Sequence, residues 1–425
     1  MKYKKIIKPI LGLLILTSII SIFLLNIFKE EKISLFIESE PFKITKYYIY
    51  GTSFNLEGTI TLNEKITELN LILFNQKELK RIPLLFTYKN DTEIDFYISK
   101  FLNKGIDLDL ISINNYELLI EIPGEEQNKY YRLKNDTEYG DLEYYTLTKN
   151  ESNNKITIAW NNGLQIIVKK EELPDNIYDI VLDPGHSGSD PGAIGTLNNT
   201  EYYERNINLS ICESLQKILE SMGYKVAITR TNNTEKVKIY ESGGSAVLAN
   251  EVKAKYNFAI HNNSSINKNE FNGLELYIIN DIEFSLARSF VENIKTFGKT
   301  NYSNKLTYNI EDGIYRRNFT INEIEIGKSY AKENKFDYYN VTTYTSYYYY
   351  LRELGGILTN AYIDGRDPNY PTNPYYNSNH VTESYLFELS YMNSTTDLSN
   401  MLSNIDGYAQ GIAEGLKNYI NEKDN

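Results

Sequence analysis

The stretch IVLDPGHSGSDPGA, from Ile180 to Ala193, decides the fold of the second half of the chain. Its first residues are apolar and rich in β-branched side chains, which predicts a buried strand. The glycines and prolines that follow predict a loop at the end of that strand, and His186 lies in this loop. The stretch therefore indicates a strand followed by a loop that carries a candidate ligand residue, His186.

A second histidine occupies the same kind of position. The chain has only three histidines, and His261 directly follows the short apolar run 258–260. A single histidine beside a strand is more often a hydrogen-bonded structural residue than a ligand. Two scarce imidazoles just past two strands favour a shared site, since open α/β sheets place their sites at the carboxyl ends of strands.

Two carboxylates belong to the same pattern. Glu204 opens a segment in which Ile207, Ile211 and Leu215 repeat at helical spacing, so it lies at a helix N-terminus. The helix dipole alone would stabilise a carboxylate there, and the alternative is a third metal ligand. Glu388 lies inside the apolar run 385–389, where a buried acid needs a partner or a chemical role.

These residues resemble the zinc-dependent N-acetylmuramoyl-L-alanine amidases of the Amidase_3 type. That family's pattern is Asp-Pro-Gly-His-Gly-Gly, Glu-Lys before a helix, Thr-Arg, Ser-Ile-His-Ala-Asn and Glu-Leu-Gly-Phe. The resemblance covers residues 178–420 and places Thr229-Arg230 at the family's Thr-Arg. It implies a hydrolase of peptidoglycan with Zn²⁺ as cofactor. It also assigns four roles: zinc ligands His186, Glu204 and His261, and catalytic acid/base Glu388.

The chain departs from the family pattern without losing a proposed ligand or the acid. The departures are Ser187, Arg205, Ala259, Asn262 and the run Leu389-Ser390-Tyr391. Together with a long stretch between Ile279 and Tyr385, which we interpret as an insertion over the site, they leave substrate preference open.

The implied ligand set suits metal-assisted hydrolysis of an amide. Two imidazoles and one carboxylate leave zinc an open position for water, as in catalytic zinc sites. Zinc in such a site lowers the pKa of bound water and polarises the amide carbonyl. Glu388, as general base, would take the water proton and pass it to the departing amine.

The N-terminus predicts a membrane anchor. Four lysines lie within positions 1–8, which we interpret as a cytoplasmic tail, and an apolar run to Phe28 predicts a transmembrane segment at 9–28. The positive-inside rule then places the rest of the chain outside the cell, as a single-pass protein of the cell membrane. A cleaved signal peptide is the alternative, although the residues before Phe28 form a poor cleavage site.

Two folded parts are predicted beyond the anchor. Short β-rich runs divided by turns predict a β-sandwich-like domain at 33–173, with a hairpin across Asn161-Asn162-Gly163. At 176–425, alternating strands and helices predict an α/β catalytic domain, a twisted sheet flanked by helices. We expect a strand at 178–182, a helix at 204–222 and a helix at 245–255.

The net charge, the single cysteine and the tyrosine-rich segment narrow the range of functions that the sequence allows. The net charge of −12 argues against binding to nucleic acid, and the single Cys212 is predicted to be a core residue. The tyrosine-rich segment 301–380 predicts either ordinary packing or an aromatic wall for glycan or peptide. His380 is expected in a surface loop, with substrate contact as the alternative.

The leading hypothesis is a membrane-anchored zinc amidase that cleaves the bond between N-acetylmuramic acid and L-alanine. Two alternatives stay open: an inactive amidase-like surface protein that acts as a wall-binding or scaffold module, and a zinc peptidase that cuts the stem peptide. The predicted partners are peptidoglycan, the membrane through the N-terminal helix, and a regulatory protein through the β domain.

Overall fold

The computed structural model describes most of the chain beyond residue 41. The described residues are 42–423 apart from 63–67, 76–78, 103, 126–127, 135–138, 150–152, 280–283, 336–337, 339–340 and 360–372. The anchor predicted at 9–28 lies outside them. Within the described ranges, no helix is both long and apolar enough to cross a bilayer.

The first part of the described chain is rich in β-strands. Its strands are β1 Phe42–Tyr50, β2 Ser53–Thr61, β3 Asn70–Phe74, β4 Leu79–Pro83, β5 Leu85–Tyr88, β6 Glu93–Ile98, β7 Ile106–Asp107, β8 Asn115–Ile122, β9 Lys129–Arg132, β10 Leu142–Tyr145, β11 Asn154–Trp160 and β12 Leu164–Lys170. One sheet has the order β1-β2-β6-β5 with β7 beside β2, and the other has the order β10-β11-β12-β8-β3-β4 with β9 beside β8. Alternating apolar side chains of both sheets, such as Phe54 and Ile158, share one core.

The predicted hairpin is present in this part. Strands β11 and β12 are antiparallel, and Trp160 pairs with Leu164 across the turn. Asn162 and Gly163 both have positive φ, the backbone conformation that a tight Asn-Gly turn between strands requires.

The second part is an α/β fold around one mixed sheet. Its strands are β13 Ile180–Pro184, β14 Ile194–Leu197, β15 Thr200–Tyr203, β16 Val226–Ile228, β17 Tyr256–Asn263, β18 Glu275–Tyr277, β19 Asn309–Glu311, β20 Ile314–Tyr315, β21 His380–Val381 and β22 Glu383–Tyr391. The main sheet has seven strands in the order β16-β13-β17-β22-β18-β20-β19, in which β16, β13, β17 and β22 run parallel. Strands β14 and β15 form a separate hairpin.

Helices lie on both faces of this sheet, since Ile180 and Leu182 of β13 belong to one core whereas Val181 belongs to another that contains Ala249. The helices are α1 Glu204–Ser221, α2 Leu248–Glu251, α3 Ser285–Phe297, α4 Ile321–Asn334, α5 Tyr349–Arg352, α6 Thr395–Ser403 and α7 Ile405–Lys423. Phe258 and Phe387 of the sheet pack edge-on against Phe290 of α3. Helix α7 packs closely on α3, because a Cβ at Gly411 would lie 2.6 Å from the Ile294 Cα. Apolar side chains therefore fix the helices that border the site.

Buried contacts join the two parts. Strand β21 adds in parallel to β1, with Ile49 paired to His380. Lys100 forms an ion pair with Glu383, the first residue of β22, and both side chains are almost completely buried. Because an unpaired buried charge is costly, each part contributes to the stability of the other.

The structure modifies two local predictions. In place of a helix over 245–255, only α2 is helical, and the chain adopts a left-handed conformation at Lys253 that ends it. The prediction that His380 lies in a surface loop was wrong, because His380 belongs to β21 and its backbone pairs with β1. Cys212 is buried in the core, as predicted.

Candidate metal centre

Four elements of the α/β part bring the proposed site residues together. His186 lies in the loop after β13, which is tied to β17 by a bond from the Gly185 amide to the Ile260 carbonyl at 2.9 Å. Glu204 is the first residue of α1. His261 belongs to β17, and its cross-strand partner in β22 is Glu388. The carboxyl ends of parallel strands therefore converge with a helix N-terminus, as open α/β sheets allow.

His186, Glu204 and His261 form a group that could hold a metal ion. Their donor atoms lie within 4.8 Å of one another. His186 Nε2 lies 3.1 Å from Glu204 Oε2, and His261 Nδ1 lies 3.1 Å from Glu204 Oε1. Neighbouring ligands of a tetrahedral zinc are about 3.3 Å apart when the metal–ligand bonds are ~2.0 Å. The donors and their spacing therefore fit a zinc ion.

Glu204 is held by backbone and side-chain donors. The amide of Ala193 donates to Oε2 at 2.8 Å, and the amide of Asn262 and Asn208 Nδ2 both donate to Oε1 at 3.1 Å. Burial alone would raise the pKa of Glu204, but the hydrogen bonds with His186 and His261 outweigh burial and hold it well below its usual range. The carboxylate is thus ionised and fixed in position.

His186 has a second carboxylate partner. Its Nδ1 lies 2.8 Å from Asp190 Oδ2, on the opposite side of the ring from Glu204. Burial lowers the pKa of His186, but the carboxylates of Glu204 and Asp190 raise it to about 9. A carboxylate that accepts the distal N–H of a histidine is the usual device for orienting a metal ligand.

Two glycines allow the close packing of this group. A Cβ at Gly185 would lie 2.1 Å from His261 Cε1, so the imidazole lies directly against the Gly185 backbone. A Cβ at Gly192 would lie 2.6 Å from both Glu204 Oε2 and His186 Cδ2. The glycines of this loop therefore let its backbone lie directly against the proposed ligands, in addition to letting the chain turn.

Glu388 lies beside this group and is partly buried. Its Oε2 atom is enclosed and has no hydrogen-bond partner among the described residues. Burial raises the pKa of Glu388 well above its usual range, and the nearby carboxylates of Glu204 and Glu275 raise it further. Glu388 therefore binds a proton more strongly than an exposed glutamate does.

Glu275 is a neighbouring carboxylate that no local pattern in the sequence indicated. It pairs with Glu388 across β18 and β22 and is completely buried. It accepts hydrogen bonds from five groups: Asn263 Nδ2, Tyr277 Oη, Ser303 Oγ, Lys305 Nζ and Tyr391 Oη. Its charge is thus compensated by Lys305, and four neutral donors bond to its oxygens.

Thr229 and Arg230 support the loop rather than face the donor atoms. Thr229 Oγ1 donates to Asp183 Oδ1 at 2.6 Å. Arg230 donates to the carbonyls of Pro184, Gly185 and Arg205 at 2.8 to 3.0 Å. The Arg230 guanidinium thus holds the loop that carries His186 against the start of α1.

The tyrosine-rich segment reaches the site. Tyr350 packs edge-on against the His261 ring, with centroids 5.0 Å apart, and Tyr348 packs against Tyr277 at 4.9 Å. His380 lies at the junction with β1 and is not a member of the group. The sequence could have indicated Asp190 as a partner of His186, since it lies only four positions later. Nothing in the sequence distinguishes Tyr350 from the other tyrosines of its segment.

A model of the family Amidase_3, described as N-acetylmuramoyl-L-alanine amidase, matches residues 180–418. Because this match covers more than half of the chain, the chain belongs to the Amidase_3 family. The predicted family is therefore confirmed, as is an α/β catalytic fold preceded by a β-rich region.

Particular relatives resemble parts of the chain. The probable cell wall amidase LytH of Staphylococcus aureus is 36% identical over 153 residues, which are 35% of this chain and 48% of the relative. The chain thus spans about half the length of the curated relatives it matches.

Two solved structures from Clostridium difficile are similar as well. An N-acetylmuramoyl-L-alanine amidase from strain 630 is 22% identical, covering 59% of this chain and 100% of that chain at a TM-score of 0.37. Cwp6 is 20% identical, covering 57% of this chain and 29% of that chain at a TM-score of 0.38.

Proposed function

We propose that this chain is a zinc-dependent amidase that cleaves the bond between N-acetylmuramic acid and L-alanine in peptidoglycan. The observation that carries the proposal is the group of His186, Glu204 and His261, with donor atoms within 4.8 Å and Glu388 on the adjacent strand. Membership of the Amidase_3 family supports the substrate. The geometry supports only metal-assisted hydrolysis.

His186, Glu204 and His261 would hold the zinc. Zinc in such a site polarises the substrate carbonyl and makes water a nucleophile at neutral pH. Asp190 orients the His186 ring through Nδ1, and the amides of Ala193 and Asn262 orient Glu204. These contacts fix the donors before the metal arrives, which lowers the cost of binding it.

Glu388 would move the proton. Hydrolysis of an amide needs a group that takes a proton from water and returns one to the departing nitrogen, because an amine leaves only when protonated. Burial and the neighbouring carboxylates raise the pKa of Glu388, which suits a group that must hold a proton before returning it. Its enclosed Oε2 is free of competing partners among the described residues.

The chain is proposed to act at the outer side of the cell membrane. The segment 9–28 would cross the bilayer once, with residues 1–8 inside and the domains at 33–173 and 176–425 outside. Protease treatment of intact cells should then degrade the catalytic part. Its protection in intact cells, or its release into the medium without the anchor, would contradict this arrangement. Binding of a regulatory protein to the β-rich part stays a prediction.

The products of peptidoglycan digestion test the activity. Purified full-length chain should release stem peptides that begin with L-alanine and leave intact glycan strands, identified by mass spectrometry. The matched control is His261→Ala, which removes a proposed ligand from the end of β17. Cuts inside the stem peptide would instead favour the zinc peptidase, and an absence of products with zinc bound would favour the wall-binding or scaffold protein.

A further inference from the structure

The tyrosine-rich segment is fixed on the sheet at the metal centre. Tyr350 lies in the short helix α5, and its backbone carbonyl accepts a bond from Ser384 Oγ of β22 at 2.8 Å. Next to it, Arg352 and Glu353 form an ion pair in which both side chains are at most 1% exposed. The Arg352 guanidinium also bonds the Tyr347 carbonyl. The position of the Tyr350 ring is therefore set by the sheet and by a buried charge pair.

The two proposed histidine ligands are held in different ways. The second nitrogen of His186 has a carboxylate partner, Asp190, at 2.8 Å. The His261 Nδ1 atom faces Glu204, but its second nitrogen, Nε2, is buried and has no hydrogen-bond partner in the described part of the chain. Among the described residues, none sets the rotation of the His261 ring through a hydrogen bond on that side, in contrast to His186.

Packing takes the place of the missing hydrogen bond. The Gly185 backbone lies against the His261 ring, since a Cβ there would be 2.1 Å from Cε1. Tyr350 also meets the ring, with centroids 5.0 Å apart and planes inclined by 61°. Both rings are buried, Tyr350 to 8% and His261 to 7% exposure. Rotation of the imidazole would therefore displace a fixed aromatic ring or a backbone.

We propose that Tyr350 is a positioning residue that holds the His261 imidazole in the orientation that binds metal. This inference rests on the proposed function, because it takes His261 to be a ligand. The ring of Tyr350 restricts rotation of the His261 imidazole through its shape. A substitution that keeps an aromatic ring at this position should keep the restriction. A substitution that removes the ring should let the imidazole rotate and weaken metal binding.

Zinc affinity of the full-length chain, measured by competition with a chromophoric chelator, tests the inference. Tyr350→Phe should bind zinc within about 3-fold of the wild type, whereas Tyr350→Leu and Tyr350→Ala should bind it about 10- to 100-fold more weakly, the usual effect of losing a group that orients a ligand. The matched control is Tyr347→Leu, because the Tyr347 ring stacks on Arg317 at 3.9 Å. Wild-type affinity in both Tyr350→Leu and Tyr350→Ala would overturn the proposal.

A measurement without metal separates this inference from the proposed function. The chain has three histidines, so selective ¹⁵N labelling gives three imidazole spin systems. In the metal-free chain, Tyr350→Leu should shift the His261 signals and leave those of His380 in place. Failure of the wild type to bind zinc would count against the proposed function, while unchanged His261 signals in a folded Tyr350→Leu variant would overturn the positioning role.

Discussion

Gly192→Ala adds one methyl group at the centre of the proposed site. Gly192 has a φ of 67°, and its Cβ would lie 2.6 Å from both Glu204 Oε2 and His186 Cδ2. Ordinary contacts begin at 3.4 Å, so these groups must retreat by about 0.8 Å. Functional constellations tolerate displacements of only about 0.5 Å. We therefore expect zinc affinity to fall by about 10- to 100-fold, which is ~1.4 to 2.8 kcal/mol.

Gly243→Ala is the matched control. Gly243 also has a positive φ, 76°, but a Cβ there would have no heavy atom within 4 Å. Both variants introduce the strain of a left-handed alanine, about 1–2 kcal/mol, and only Gly192→Ala displaces proposed ligands. Unfolding by urea measures the shared strain, and chelator competition measures the zinc affinity. Equal zinc affinities in the two variants would refute the packing argument.

Three further predictions concern carboxylates in or near the core and their partners. Glu388→Gln should retain zinc but lose about 10²- to 10⁴-fold in hydrolysis rate, because an amide cannot exchange the proton; unchanged turnover would make Glu388 structural, and loss of zinc would make it a ligand. Lys100→Met should lower the free energy of unfolding by about 3–5 kcal/mol, because it leaves Glu383 buried without its cation; an unchanged urea midpoint would show that the pair contributes nothing. Burial, together with a neighbouring carboxylate, raises the pKa of Asp109 to about 7. The free energy of unfolding of the wild type should therefore fall relative to that of Asp109→Asn as the pH rises from 4 to 7, and the difference should level off above pH 7. Parallel pH profiles of the two proteins would contradict this.

The proposed site residues could be found in the sequence because each borders or interrupts a local pattern. His186 lies in the loop after an apolar strand, His261 lies near the end of another, and Glu204 begins a helix with a clear apolar period. Glu388 was visible as an acid in an apolar run. These local signals favoured a shared site for the two histidines, and the resemblance to the Amidase_3 family implied that Glu204 and Glu388 belong to the same site.

The supporting residues could not be predicted in the same way. Tyr350 reaches His261 only because α5 packs on the sheet, and Glu275 finds its donors on its own strand and on three other segments of the chain. Neither contact leaves a period or a spacing in the sequence. The contact of Lys100 with Glu383 likewise joins two domains that were predicted as separate units.

Anomalous diffraction at the zinc absorption edge, from crystals of the full-length chain grown with zinc, would locate the ion that the proposed function requires. We expect a peak about 2.0–2.2 Å from one donor atom each of His186, Glu204 and His261. We also expect this peak to disappear in crystals of His261→Ala. A zinc-supplied crystal with no peak among these three residues, or with its peak coordinated by other side chains, would contradict the proposed function.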